Sequence, residues 1–319
     1  MTRLDAVTFG EAMALFIANQ PGSLHEINQF TRELAGAETN VAIGLARLGL
    51  QSGFASKVGN DAFGKFIIDR LKSENVNTEH VLVDNHYQTG FQLKSKVTTG
   101  DPEVEYFRKG SAASHLSVAD FKEAYFQGAK HLHMTGIPLA LSEETRAFAR
   151  NAQDFMKKNG LRVSFDPNLR PTLWKTRSEM VETINEAAFG ADYVLPGISE
   201  GEILTGYKQP RDIASFYLEK GVKLVVVKLG AEGAFYKSAK EEGTVHGFKV
   251  EKVVDTVGAG DGFAVGVISG LIEGLPICDA VLRGNAIGAL AVQAPGDNDG
   301  YPTKSQLEKF LTNQLQGVK

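Results

Sequence analysis

Short, β-rich apolar runs alternate with longer stretches of helical periodicity, and this constrains the fold more than any other feature of the 319-residue chain. The runs AVTFG, GFASKV, HLHMTG, LRVSFD, ADYVLP and KLVVVKLG read as strands, with helical stretches such as Glu38 to Leu48, Asp61 to Glu74 and Glu144 to Lys158 between them. Strands that are apolar along their length must be covered on both sides, which a parallel sheet with helical crossovers provides. The expected fold class is therefore α/β, a mostly parallel central sheet flanked by helices on both faces, with residues 1–319 forming one domain.

One segment breaks the rhythm. From Phe91 to Thr98 the sequence FQLKSKVT alternates, with Phe91, Leu93 and Val97 on one side and Gln92, Lys94 and Lys96 on the other. EVEYFR follows after the turn TTGDP. This pattern predicts a half-buried antiparallel hairpin. Taken with TRELAG near residue 34, it is read as a small β-sheet lid formed by about 12–36 and 86–110.

Composition excludes several classes of function. With 23% charged residues and a net charge of -4, the chain offers no basic footprint for nucleic acid. A single cysteine, Cys278, excludes an intrachain disulfide and a cysteine metal cluster, and points to a reducing, cytoplasmic setting. Asp5 and Glu11 interrupt the N-terminal apolar stretch before it resembles a signal peptide. The strongest apolar run, FAVGVISGLI, falls far short of the roughly 20 residues that span a bilayer, so no membrane segment is expected.

The stretch DTVGAGDGF, Asp255 to Phe263, runs straight into that apolar segment. Small residues at the start of a helix leave its first amides bare, and the helix dipole favours an anion there. The plainer alternative is a tight turn into a buried helix. A Walker A ending and a G-x-G-x-x-G spacing are both missing at this loop, which removes two other phosphate motifs. Asp261 closes the loop. Beside the dipole it is expected to stay ionised and able to accept a proton from an attacking hydroxyl.

DTVGAGDGF resembles the C-terminal signature of the ribokinase-like (phosphofructokinase-B) family of sugar kinases, and AGAETNVAIGLARLG, with Gly36, Asn40 and Ala42, is similar to the N-terminal one. The resemblance implies a ribokinase-like fold. In it Asp261 is the catalytic base, and Gly258, Ala259 and Gly260 form the anion hole for the transferred phosphoryl group. It also implies ATP at Lys228, Gly230, Gly233, Gly258 and Gly260, with Asn168 and Arg170 nearby and Asn285 approaching the adenine. An ordinary β-turn is the alternative for Gly230 and Gly233. Mg²⁺ is implied with ATP, and a monovalent cation is left open. PGISEGE has Gly197 where the family carries Asn, so Glu200 either holds Mg²⁺ through water or simply complements a helix dipole. A homo-oligomer paired through the lid is expected from the same resemblance.

For the substrate, YFRKGSAAS resembles the segment with which 2-keto-3-deoxygluconate kinases grip an acid sugar, whereas FDPNLRPTLW is shared with fructokinases. Arginine offers a planar fork suited to a carboxylate. The expectation is an ATP-dependent kinase that makes the 6-phosphate of a keto-deoxy sugar acid. Tyr106, Arg108 and Arg170 would hold the acid end, and Gly36 and Asn40 the polyol end. Gln92 stands where some of those kinases carry an aromatic residue. For Arg108 the alternative is a solvated lid residue. For the chain, the alternatives are a fructokinase or other neutral-sugar kinase, and a non-catalytic sugar-binding regulator.

Overall fold

The structure, a computed structural model, describes residues 3–97 and 102–316. The turn residues Thr98 to Asp101 lie outside the described residues. The strands in chain order are β1 (Leu4–Phe9), β2 (Met13–Pro21), β3 (Phe30–Ala35), β4 (Ser52–Gly59), β5 (Asn77–Asp84), β6 (Phe91–Lys96) and β7 (Val104–Phe107). They continue with β8 (Ala129–Thr135), β9 (Arg162–Asp166), β10 (Tyr193–Val194), β11 (Leu224–Lys228), β12 (Gly233–Ser238) and β13 (Glu242–His246).

Nine of these strands form one sheet in the order β13-β12-β11-β10-β9-β8-β1-β4-β5. It is parallel from β11 to β5, and β12 and β13 add an antiparallel edge. All the apolar runs read as strands lie in it. Alternation along each strand sends neighbours to opposite faces. In β11, Val225 and Val227 pack with Phe148, Ile184 and Tyr217, while Leu224 and Val226 pack with Val41, Val265 and Ile287. Both faces are thus covered by helices, as the continuous apolar runs require.

Helix Ala259–Glu273 is buried from Asp261 to Gly270 and lies against helix Ile277–Ala291. A Cβ at Gly266 would come within 2.4 Å of the Gly284 amide nitrogen, so glycine permits this backbone approach. The close packing fixes the start of the first helix, where the glycine-rich loop sits. No helix among the described residues is long and apolar enough to cross a membrane.

The second sheet has the order β3-β2-β6-β7. β6 and β7 pair antiparallel, as the hairpin pattern predicts, and β2 runs parallel to β6 and antiparallel to β3. The covered side of the hairpin needs correction. Gln92 and Lys94 are buried, whereas Phe91 and Leu93 are only half-buried. The reason is the site beneath: the polar face closes over a cleft lined by charged residues. The opposite face packs Phe91 against Phe107, with ring centroids 4.6 Å apart, and against Phe63 of helix Ala62–Ser73.

Candidate active site

The carboxyl ends of β1, β8, β9 and β11 deliver Glu11, Ile137, Asp166 and Lys228 to one cleft of about 530 Å³. This is the end of an open α/β sheet where ligands gather. Gln92, Lys94 and Tyr106 line the same cleft from the lid.

The glycine-rich loop enters it as the start of helix Ala259–Glu273. The Asp255 carboxylate accepts from the Val257 amide at 3.0 Å and bends the chain toward Gly258, which is left-handed at φ 79°. Tyr301 clamps the turn by donating its hydroxyl to the Gly258 carbonyl at 2.6 Å. The first helical bond runs from the Gly262 amide to the Gly258 carbonyl at 2.8 Å, so the amides of Ala259, Gly260 and Asp261 precede the regular ladder. The Ala259 amide donates to the Thr256 carbonyl at a long 3.4 Å, so among the described residues Gly260 and Asp261 present the free amides, and free amides at a helix start suit an anion.

Asp261 is held from both sides. One carboxylate oxygen accepts from the Asn40 amide at 2.9 Å and the other from the Asn168 amide at 3.1 Å. Asn40 is itself fixed by Asn298 at 2.9 Å, and Asn168 takes a left-handed conformation at φ 40°, which Asn tolerates. Gly36, at the N-terminus of the helix bearing Asn40, also lines the cleft. Burial pushes the Asp261 carboxyl up to about 7, against the hydrogen bond from Asn40 and the charges of Arg170 and Lys228, with Asp166 adding to the rise. The expectation that the dipole keeps this acid ionised is corrected: burial outweighs the helix terminus.

The sign of the pH effect follows. Below about 7 the acid is protonated and cannot act as a base, so kcat/KM should rise with pH through that value. A profile whose acid limb bends near the ordinary carboxylate range, about 4, would contradict this. The raised value also means that Asp261 favours the folded state fully below about 4 and that this contribution is lost as pH rises through about 7. Asp261→Asn should therefore raise Tm at pH 8, read by a thermal melt.

A second cavity, of about 730 Å³, lies on the far side of the loop. Gly230, Gly233, Phe263 and Asn285 line it, and Lys228, Thr256 and Gly260 face both cavities. The residues expected at the nucleotide therefore divide. Lys228, Gly230, Gly233, Gly260 and Asn285 come together here, while Asn168, Arg170 and Gly258 line the first cleft instead. Asn285 donates to the carbonyls of Val245 and His246 at 2.9 and 3.1 Å.

Lys228 reaches Asp166 at 2.6 Å. Burial opposes its charge, but Asp166 and Glu200 more than offset that and raise its pKa. Glu200 accepts from the amides of Leu169 and Gly197, each at 2.8 Å, so it both caps its own helix and anchors the DPNLR loop. The helix-capping alternative for Glu200 is seen directly, and the residue also lines the cleft. Among the described residues, no group of three or more His, Cys, Asp or Glu side chains is arranged to hold a metal.

At the other end of the cleft, Arg108 is no solvated lid residue. Its side chain is 10% exposed and forks onto Glu11, with Nη2 and Nε at 2.5 and 2.6 Å from one carboxylate oxygen. The other oxygen accepts from Ser111 at 2.5 Å. The Tyr106 ring lies 5.6 Å from the guanidinium. Among the described residues Arg170 makes only local bonds, to the carbonyls of Leu169 and Asn168 at 3.0 and 3.4 Å. Glu38, buried in the wall of the cleft, accepts from Thr135, and burial pushes its carboxyl up to about 7. Removing Arg108 leaves Glu11 buried without its cation. Arg108→Ala is expected to cost about 3–5 kcal/mol of folding stability by urea denaturation. A loss below about 1 kcal/mol would contradict the ion pair's structural role.

The sequence reading missed Glu11, Lys94, Asp166 and Asp297 as members of the cleft. Lys94 and Gln92 carried a signal, the polar phase of a strictly alternating strand. Asp166 lay within a quoted motif, and Asp297 had no local signal at all.

Comparison with known proteins agrees with this geometry. The chain is 56% identical to the 2-dehydro-3-deoxygluconokinase of Bacillus subtilis (strain 168), over 98% of this chain and 97% of that protein. The crystal structure of a PfkB protein from Polaromonas sp. JS666 superposes with a TM-score of 0.90 at 52% identity, covering 96% of this chain and 99% of that one. A fructokinase from Vibrio cholerae O395, in its fructose, ADP and calcium ion bound form, superposes with a TM-score of 0.86 at 31% identity, covering 97% and 99%. The family profile of pfkB carbohydrate kinases matches residues 3–304, and the chain belongs to the pfkB family of carbohydrate kinases.

Proposed function

We propose that the chain transfers the γ-phosphoryl group of ATP to the C6 hydroxyl of 2-dehydro-3-deoxygluconate, the 2-keto-3-deoxy sugar acid of the sequence reading. One observation carries the reaction: Asp261 and Gly260 stand where a sugar-sized cleft meets a second cavity, in a chain 56% identical to a 2-dehydro-3-deoxygluconokinase. Asp261 takes the proton of the attacking hydroxyl. The amides of Gly258, Ala259 and Gly260 receive the phosphoryl oxygens, so that developing charge meets donors already oriented. Asn40 and Asn168 hold both carboxylate oxygens and aim the base.

ATP fits the second cavity along Lys228, Gly230 and Gly233, with the purine toward Asn285. Mg²⁺ bound with ATP supplies neutralisation of the phosphates, and Glu200 would hold it through water. The sugar's carboxylate is assigned to Arg170 and Arg108, with Tyr106 beside them, and its polyol end to Gly36 and Asn40. The single cysteine, exposed Cys278, fits a reducing cytoplasm. The half-exposed Phe107, on the outer face of edge strand β7, supports pairing of two copies through the lid.

A second reading rests on Glu11. Because its carboxylate already compensates Arg108, the cleft is less cationic than the sequence suggests, which suits a neutral sugar such as fructose. Identifying the product tests the first reading: after incubation with ATP and 2-dehydro-3-deoxygluconate, phosphorus NMR should show one ester coupled to the two C6 protons. An unchanged sugar acid would overturn it.

A further inference from the structure

Lys94 belongs to the lid, midway along β6, yet its ammonium is buried against the body of the protein with only 4% of the side chain exposed. It lies 2.5 Å from an oxygen of Asp255 and 3.5 Å from one of Asp297, both carboxylates themselves at most 10% exposed. These two acids flank the anion hole. Asp255 uses its other oxygen to hold the Val257 amide, one residue before Gly258. The backbone of Asp297 is packed so closely on Gly258 that a Cβ there would lie 1.8 Å from the Asp297 carbonyl oxygen. One ammonium from the lid therefore ties together both walls of the loop that receives the phosphoryl group.

We propose that Lys94 is a positioning residue that couples seating of the lid over the sugar to ordering of the anion hole; this rests on the kinase reading above. Gln92, two residues away and on the same face of β6, lines the sugar cleft, so a ligand that seats the strand at Gln92 also seats Lys94. With the lid lifted, Asp255 and Asp297 lose their shared cation and face each other as buried like charges. Burial pushes the Asp297 carboxyl up and Asp255 adds to this, while Lys94 pulls it down. The seated lid and the ordered loop thus stabilise each other, which is the thermodynamic content of coupling between two sites.

The test compares wild type, Lys94→Met and Lys94→Arg as full-length enzymes. Calorimetric titration of a non-hydrolysable ATP analogue, with and without saturating 2-dehydro-3-deoxygluconate, should give a coupling factor of about 5–150 in wild type and about 1 in Lys94→Met. In the same variant kcat should fall about 10- to 100-fold, the sugar KM at saturating ATP should rise by about the coupling factor that is lost while the sugar Kd without nucleotide changes less than about threefold, and Lys94→Arg should recover part of these losses. Wild-type coupling and turnover in Lys94→Met would overturn the proposal. Should Lys94→Met not fold, Lys94→Met/Asp297→Asn keeps the net charge of the cluster; lost coupling in it supports the proposal, and retained coupling overturns it. No turnover by the wild type on the sugar acid would instead sink the kinase reading.

Discussion

Asp261→Asn should lower kcat by about 10²- to 10⁴-fold while nucleotide affinity changes less than about threefold. Among the described residues the hydrogen-bond partners of the carboxylate are Asn40 and Asn168, which line the first cleft and not the second cavity. The substitution removes the proton acceptor and leaves the shape. It also replaces one of two acceptors by a donor facing Asn40 or Asn168, so one of those amides must turn away. A thermal melt at pH 8 separates the two effects, because losing a buried carboxyl with a pKa of about 7 should stabilise the fold there. A variant that is folded, binds ATP and is inactive meets the expectation. Near-normal turnover would remove Asp261 from the mechanism.

The second large effect is steric. Gly258→Ala places a methyl 1.8 Å from the Asp297 carbonyl oxygen at a φ of 79°, where a side chain costs about 1–2 kcal/mol even in open space. The loop must move, and with it the amides it presents. A fall in kcat of about 10²- to 10³-fold is expected, the scale of losing an oxyanion donor, together with a lowered Tm. Gly260→Ala is the contrast. Its added Cβ meets only the Lys228 ammonium, at 3.7 Å, so the free enzyme should keep its Tm, and any loss of turnover would come from crowding the phosphoryl group. Equal melting temperatures for wild type and Gly258→Ala would contradict the packing described for this loop.

What the sequence made legible was local and periodic. Apolar runs such as KLVVVKLG announce a doubly covered strand because every side chain on it must be buried. From its residues alone the loop from Asp255 to Phe263 leaves a tight turn and an anion site both open, and the resemblance of DTVGAGDGF to a family signature turns the reading toward the anion site. The lid was legible as a hairpin but not in its orientation. Burial normally follows apolarity, and at β6 it follows Gln92 and Lys94 instead, because the charges they meet come from segments more than 150 residues away, such as Asp255 and Asp297. The ion pair of Arg108 with Glu11 joins residues 97 positions apart and leaves no mark on spacing. The pKa of Asp261 was misjudged for a related reason: the dipole is a property of the local helix, whereas desolvation is a property of everything packed around it.

The central claim is that this cleft takes an acid sugar. The most direct measurement is the ratio of kcat/KM for 2-dehydro-3-deoxygluconate to that for D-fructose, with ATP saturating. A carboxylate bound by arginine should favour the acid by at least about a hundred-fold, equivalent to about 2.7 kcal/mol of transition-state binding. A ratio near one, or a preference for fructose, would contradict it and make Glu11 the mark of a neutral-sugar kinase.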